Sequence, residues 1–241
     1  MGSCETCDVC ASGCTYSSVQ AAIDAAGIGA TIHLCAGTFT GNITIGKNLS
    51  LIGTGSGPGG GNTILSGSQN GTVVTVNQGA TVTLQGMRIT NGDNINGGGI
   101  SNAGTLTLTA CTLTQNSADQ GGGIYNSASL TLNQSIVESN FALNNEGGGI
   151  YNGNGGDLVM NDSQINGNTA GTAGGGLFNN SARATVNNSA ITSNTAAANG
   201  NPGQGGGIFN LVGTITLNAG SSVTGNNPDN CAGEAVSGCS G

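Results

Sequence analysis

Few residues in this sequence are equipped for chemistry, and they are scattered. Three cations, Lys47, Arg88 and Arg183, stand against eleven acids and a single histidine, for a formal net charge of −8. A surface that neutralises phosphates needs clustered Lys and Arg, so nucleic acid and anionic lipid are excluded as partners. Asp157 and Asp162 offer two carboxylates five residues apart, the kind of pair that serves acid–base catalysis, but no third acid follows at the matching place of the next repeat. Gly155-Gly156-Asp157-Leu158 matches part of a calcium-binding nonapeptide, yet it occurs once, and such sites work as repeats. His33 alternates with Ile32 and Leu34 and reads as a surface histidine. The densest reactive group is Cys4-x2-Cys7-x2-Cys10-x3-Cys14, the spacing of an iron–sulfur run. Thr15 follows it in place of the usual proline and no second run exists. Disulfides are therefore expected there, with no metal and no cofactor.

A repeat must position these residues. Charged residues make up 6% of the chain while hydrophobic ones reach 36%, with 47 glycines and only 3 prolines, which favours a regular architecture of tight turns over a linker. Gly-Gly-Gly-aliphatic occurs five times, ending at Ile100, Ile124, Ile150, Leu177 and Ile208, at spacings of 24, 26, 27 and 31 residues. Each is followed by short runs of alternating apolar residues such as Leu106-Thr107-Leu108 and Leu130-Thr131-Leu132. Alternation over three to five residues marks strands with one buried face. Three such strands per unit, without helical connections, make an all-β parallel β-helix. About eight rungs at ~4.8 Å each give a rod some 35–40 Å long. The corner before each glycine triplet varies in length and is expected to face solvent. Tyr16 to Ala26 reads as an amphipathic helix lidding the first rung, and Asn226-Asn227-Pro228-Asp229 stops the repeat. The expected organisation is a Cys-rich segment and capping helix over 1–30, the β-helix over 31–227 and a capping loop over 228–241.

Tyr16-Ser-Ser-Val-Gln-Ala-Ala-Ile-Asp-Ala-Ala, followed by Ile32-His-Leu-Cys-Ala-Gly-Thr-Phe39, resembles the N-terminal cap and first rung of pectate-lyase-like right-handed β-helices. The later units resemble the polymorphic outer membrane protein repeat, in which a Gly-Gly-Ala-Ile element is paired with Phe-x-x-Asn. Here the first element is Gly98-Gly99-Ile100 and its successors. The second is Leu113-x-x-Asn116, Val137-x-x-Asn140, Ile165-x-x-Asn168, Ile191-x-x-Asn194 and Val223-x-x-Asn226, with an aliphatic residue in place of Phe. Pro228-Asp229-Asn230-Cys231 is similar to an element that ends secreted bacterial solenoids. The resemblance implies a right-handed, single-stranded parallel β-helix. It also implies that a polysaccharide-cleaving member would carry clustered carboxylates, calcium and a basic residue on one exterior groove, or paired Asp residues with Gly-His-Gly. Neither set is present: Arg88 and Arg183 are expected on different faces, about four rungs apart, or roughly 19 Å.

What does repeat on the outside is polar and neutral. One outward column reads Thr83, Thr107, Thr131, Val159, Thr185, Thr216, and its neighbour Thr81, Thr105, Ser129, Asp157, Arg183, Thr214. Such Thr-x-Thr arrays resemble the flat faces of ice-binding β-solenoids, although Thr also favours exposed strand positions in general, and Asp157, Val159 and Arg183 interrupt the array. A third column, Ser101, Tyr125, Tyr151, Phe178, Phe209, forms an aromatic ladder. Two asparagine columns, from Asn102 to Asn210 and from Asn116 to Asn226, are expected to bond rung to rung.

Eight cysteines suggest an oxidising compartment. Cys14 and Cys35 flank the helix and could staple it to the first rung, and Cys231–Cys239 would hold the C-terminal loop. Cys111, in an inward column with Met87 and Ser135, is expected as a buried thiol. Cys4, Cys7 and Cys10 are left as an odd number, so one is expected to be free or bonded to another molecule. Met1-Gly2-Ser3-Cys4-Glu5-Thr6 fits a myristoylation pattern, but the thiols favour a mature exported chain whose signal peptide has been removed. Together these readings describe a secreted or cell-surface protein of bacterial type without a membrane span. Its expected function is that of a non-enzymatic scaffold, adhesive or glycan-binding. Ice binding through the Thr columns is the alternative, and a polysaccharide lyase or hydrolase the second alternative. Glycans, a cell surface or ice are the corresponding partners.

Overall fold

The computed structural model describes residues 7–198 and 201–239. Within them the chain is an all-β parallel solenoid of about seven turns. The sequence suggested about eight rungs, and one sheet does contain eight stacked strands, from Gly37–Thr40 to Ser222–Thr224; eight stacked strands are separated by seven full turns. A fourteen-stranded sheet carries two strands of a rung, such as Ile100–Asn102 and Thr105–Thr109, which merge into one in Leu177–Asn187 and Ile208–Leu217. A six-stranded sheet starts at Asp93–Asn96 and lies at the corner where repeat length varies. Its last pairing, Thr195–Ala198 with Asn201–Pro202, is antiparallel.

Equivalent residues stack. Ile100 pairs with Ile124, Ile124 with Ile150, Ile150 with Leu177 and Leu177 with Ile208, in one interior file with 0% exposure. The glycine triplets have a steric cause. Gly121, the first of its triplet, adopts φ +65°, a left-handed conformation that costs an L-residue energy. A Cβ on Gly122 would meet the Phe141 carbonyl oxygen at 2.4 Å, and one on Gly123 the Gly149 oxygen at 2.6 Å. Successive turns approach too closely there for any side chain.

Two columns of buried amides tie the turns together. In the first, the Nδ2 of Asn102, Asn126, Asn152 and Asn179 each donates to the Oδ1 one rung on, ending at Asn210, over 2.8–2.9 Å. In the second, Asn116, Asn140, Asn168 and Asn194 do the same toward Asn226 at 2.9–3.0 Å. Asn140 also donates to the carbonyls of Leu113 and Glu138, while its own Oδ1 accepts from the Asn116 backbone. Each amide therefore satisfies backbone groups that the turn leaves without strand partners. A further inward column follows Cys111: the Ser135, Ser163 and Ser189 hydroxyls each accept the backbone N–H of the column residue in the preceding rung.

The N-terminal helix runs Val19–Ala25, shorter than the sequence pattern suggested, because Ser18 caps it by accepting from the Ala21 N–H. Val19, Ala22 and Ile23 are buried against the first rungs. Gln20 bonds both the N–H and the carbonyl of Thr44, acting as a strand partner would, and Lys47 Nζ donates to the Asp24 and Ala26 carbonyls at the helix end. At the other end Cys231–Gly233 adds a parallel strand to Ile208–Asn210, and the Cys231–Cys239 disulfide closes the loop.

The expected Cys14–Cys35 staple is not what forms. Cys14 is bonded to Cys10. Val9 makes parallel bridges to both Leu34 and Tyr16, so the N-terminal segment lies along the first rung and brings Cys10 beside Cys14. Cys4 lies outside the described residues, and Cys7 is half-buried.

Replacing Asn140 with Ala strands several buried partners at once, and urea unfolding should show a loss of at least about 2 kcal/mol. Thr107→Ala, on the outer face, should change stability by less than about 0.5 kcal/mol. Burial raises the Cys111 thiol from 9.0 to about 11. The folded chain therefore holds that proton to higher pH than the unfolded one. The resulting stabilisation is complete below pH 9 and is lost between about pH 9 and 11; it amounts to about 2–3 kcal/mol. Cys111→Ala should flatten the unfolding free energy across that interval by a similar amount.

Candidate functional site

The outward columns place opposite charges side by side at one point. Along one row of the large sheet Thr81, Thr105, Ser129, Asp157, Arg183 and Thr214 are consecutive strand partners. The row beside it runs Thr83, Thr107, Thr131, Val159, Thr185, Thr216 in the same register. Thr81, Thr105, Thr214 and Thr216 are exposed, while Thr83, Thr107, Thr131 and Thr185 are half-buried. Each hydroxyl row is thus broken in its middle rungs.

Arg183 grips Asp157 with two parallel hydrogen bonds, Nε to Oδ1 at 3.1 Å and Nη2 to Oδ2 at 2.7 Å. This is the bidentate fork that matches guanidinium to carboxylate. It is the one carboxylate–guanidinium pair among the described residues. The hydrogen bond to Asp157, and then the carboxylate's charge, raise the Arg183 guanidinium further above its ordinary range. Asp157 therefore stands beside a permanent cation at any pH near neutrality. The side chains remain 38% and 66% exposed, and an exposed pair contributes little to stability.

The turn that aims this pair is built from the buried amides. Asn152 Nδ2 donates to the Arg183 carbonyl at 2.9 Å as well as to Asn179. Gly156 must precede Asp157, since a Cβ there would lie 2.5 Å from Asn152 Oδ1. A surface depression of about 430 Å³ lies over the pair, lined by Gly155, Asp157, Ser181, Arg183, Gly213 and Thr214. A depression beside the N-terminal helix, lined by Ser17, Ser18, Thr38, Phe39 and Thr40, offers hydroxyls without a charged group.

The aromatic column stands on the other side of the same turn. Tyr125, Tyr151, Phe178 and Phe209 stack with centroids 5.1, 5.2 and 5.4 Å apart and interplanar angles below 20°. Tyr151 and Phe178 are buried between the half-buried end rings. The Tyr125 hydroxyl accepts from Asn154 Nδ2 at 2.8 Å, and that of Tyr151 from Asn180 Nδ2 at 3.2 Å. Both asparagines sit in the turn between the ladder and the ion pair. Burial, then the Tyr151 charge, raise the Tyr125 phenol, opposed by the Asn154 bond.

Arg88 and Arg183 lie in different sheets. Asp162 points elsewhere and accepts from Asn188. His33 is exposed, with Nδ1 3.6 Å from Asp8 Oδ2. In the sequence Asp157 and Arg183 share one column, where they read as interruptions of a Thr array. Their opposite charges, one rung apart, were the available signal of a pair.

No family model matches the chain, and no curated protein matches it in sequence. Its architecture is nevertheless similar to solved structures. A pectin methylesterase from Aspergillus niger, crystallised in penultimately deglycosylated and in deglycosylated forms, superposes with a TM-score of 0.61 at 15% identity, covering 98% of this chain and 83% of that one. A mutant pectin methylesterase in complex with a hexasaccharide superposes with a TM-score of 0.51 at 12% identity, over 90% of this chain and 80% of that one. The fold is thus the right-handed parallel β-helix. The neighbours also correct the functional expectation. They are pectin methylesterases, which the expected non-enzymatic scaffold does not fit; at 12–15% identity the likeness itself extends to the fold.

The ladder's energetic role separates by position. Tyr151→Ala, in its buried middle, should cost about 3–5 kcal/mol in chemical unfolding, and Phe209→Ala, at its half-buried end, distinctly less.

Proposed function

We propose that this protein is a polysaccharide-acting enzyme whose reactive centre is Asp157 held by Arg183 on the outer face of the large sheet. The carrying observation is the bidentate pair at the floor of an open depression. The chemistry follows from it. An ionised carboxylate can act as nucleophile, or as base toward water, at an ester carbonyl. The guanidinium has five N–H groups and spends two on Asp157; the others can stabilise negative charge developing on an ester oxygen. Hydroxyls along the axis, Thr105 and Ser129 on one side and Thr214 on the other, continue the row at strand spacing and suit the hydroxyls of a sugar chain.

Net charge narrows the substrate. A molecule at −8 with three cations repels a polyuronate at neutral pH. An esterified uronan carries no such charge, and its hydrolysis would create an anionic product that the same field drives off. Ester hydrolysis on a methyl-esterified pectin therefore suits this surface better than cleavage of a charged backbone. The fold shared with pectin methylesterases supports this reading, as does an extracellular setting, which the disulfides favour.

The test is release of methanol and of new reducing ends from pectins of graded esterification. Methanol release that falls as esterification falls is expected, with Asp157→Asn lowering it about 10²–10⁴-fold. Arg183→Lys, which keeps charge and loses the fork, should also lower it. A panel without turnover, or turnover untouched by Asp157→Asn, overturns the assignment.

A further inference from the structure

Of the three cations, Arg183 is spent on Asp157 and Lys47 on the carbonyls at the helix end. Arg88 has neither an ion pair nor a side-chain hydrogen bond among the described residues. It stands on the outer face of the eight-stranded sheet, away from the sheet of the proposed centre. Thr38, Ile64 and Arg88 are consecutive strand partners in one outward column, and Ser66 and Thr90 are partners in the next. A depression of about 280 Å³ lies over them, bounded by Pro58, Asn91 and Gln115, and none of its lining residues is acidic. Glu138, the first carboxylate along these columns, is two rungs beyond Thr90.

One wall is an insertion. Residues 53–62 separate Leu49–Ile52 from Thr63–Ser66, whereas Gly86 alone fills the same corner one rung on. The insertion closes on itself, with Thr54 Oγ1 donating to the Gly61 carbonyl and Asn62 Nδ2 to that of Gly59. It brings Pro58 beside Thr38 and Ile64. Donors gather on the floor. Asn91 Nδ2 donates to Ser66 Oγ at 3.2 Å, which leaves the Ser66 proton for another acceptor. Thr90 is 4% exposed and its Oγ1 has no hydrogen-bond partner, an arrangement that costs energy until an acceptor completes it.

We propose that this depression binds the free carboxylate of a sugar acid. A guanidinium offers N–H donors and no acceptor, and its fork takes a carboxylate through two parallel bonds. Rotation about χ1 moves the Thr90 hydroxyl between staggered positions, so it can follow an oxyanion seated beside Arg88. The Ser66 hydroxyl and the Gln115 amide answer the ring hydroxyls, while Pro58 and Ile64 pack against the C–H face of the ring. The net charge of −8 opposes a long polyanion, so the fitting ligand is a lone carboxylate on an otherwise neutral saccharide. An ester-hydrolysing centre would generate that group on a methyl-esterified chain. The choice of saccharide rests on the function proposed above; the anion site does not.

The full chain, labelled with ¹⁵N, is titrated at low salt with galacturonate, with its neutral primary amide and with acetate, and the amide resonances of Thr90 and Gln115 are followed. Saturable shifts with galacturonate are expected, and binding at least about tenfold weaker for the amide and for acetate. Arg88→Met should weaken galacturonate binding by a similar factor, with the rest of its amide spectrum that of the parent. Arg88→Lys, which keeps the charge and loses the fork, should fall between the two. Acetate binding as tightly as galacturonate overturns the sugar acid. Unmoved Thr90 and Gln115 resonances, or full-strength binding by a folded Arg88→Met variant, overturns the site. None of these readouts needs turnover, so a failure of methanol release leaves them standing, and their failure leaves Asp157 and Arg183 untouched.

Discussion

Parallel strand pairing sets equivalent backbone atoms of successive turns about 4.8 Å apart, and the surface of this protein inherits that spacing. The buried asparagines make the register unique. An amide is both donor and acceptor, so a column of them is satisfied when each Nδ2 meets the next Oδ1, as from Asn102 to Asn210 and from Asn116 to Asn226. A slip of one residue would turn every inward side chain outward and leave those amides unpaired in an apolar interior. Length variation is therefore expelled to the corner before each glycine triplet, where neither amide column runs.

This constraint also explains how so few charged groups can make a site. Side chains in one column are neighbours by construction, so a single Asp and a single Arg suffice to form a bidentate pair once they occupy consecutive rungs. The same Asn152 that continues the interior ladder holds the Arg183 carbonyl, and its Oδ1 forbids a side chain at Gly156. Across that turn the stacked rings are oriented by Asn154 and Asn180. Scaffold and site share residues, which lends rigidity to an otherwise solvent-exposed pair.

The ends follow different rules, because an open rung offers apolar surface and unpaired backbone. At the N-terminus a short helix covers the core while Gln20 and Lys47 satisfy backbone groups by side chain. At the C-terminus a short strand and a disulfide-closed loop carry Val236 onto the last rung. Each cap holds a disulfide, Cys10–Cys14 and Cys231–Cys239, and Cys111 is left in the interior among the serines.

The repeat itself was legible because stacking imposes equivalence on sequence: glycine triplets, apolar alternation and asparagines recur wherever sterics and hydrogen bonding demand them. Interior file, amide columns and aromatic column all followed from spacing. Contacts made once could not be read this way. The lie of the N-terminal segment along Leu34 depends on bridges with no repeated counterpart, so the partner of Cys14 was misassigned. The Asp157–Arg183 pair was visible as two letters in one column, but whether those side chains lean together or apart is a matter of rotamer and surrounding turn. Periodicity in the chain determined the fold, since every rung restates the same packing problem; the cap and the charged centre were decided in three dimensions, where single side chains meet without repetition to announce them.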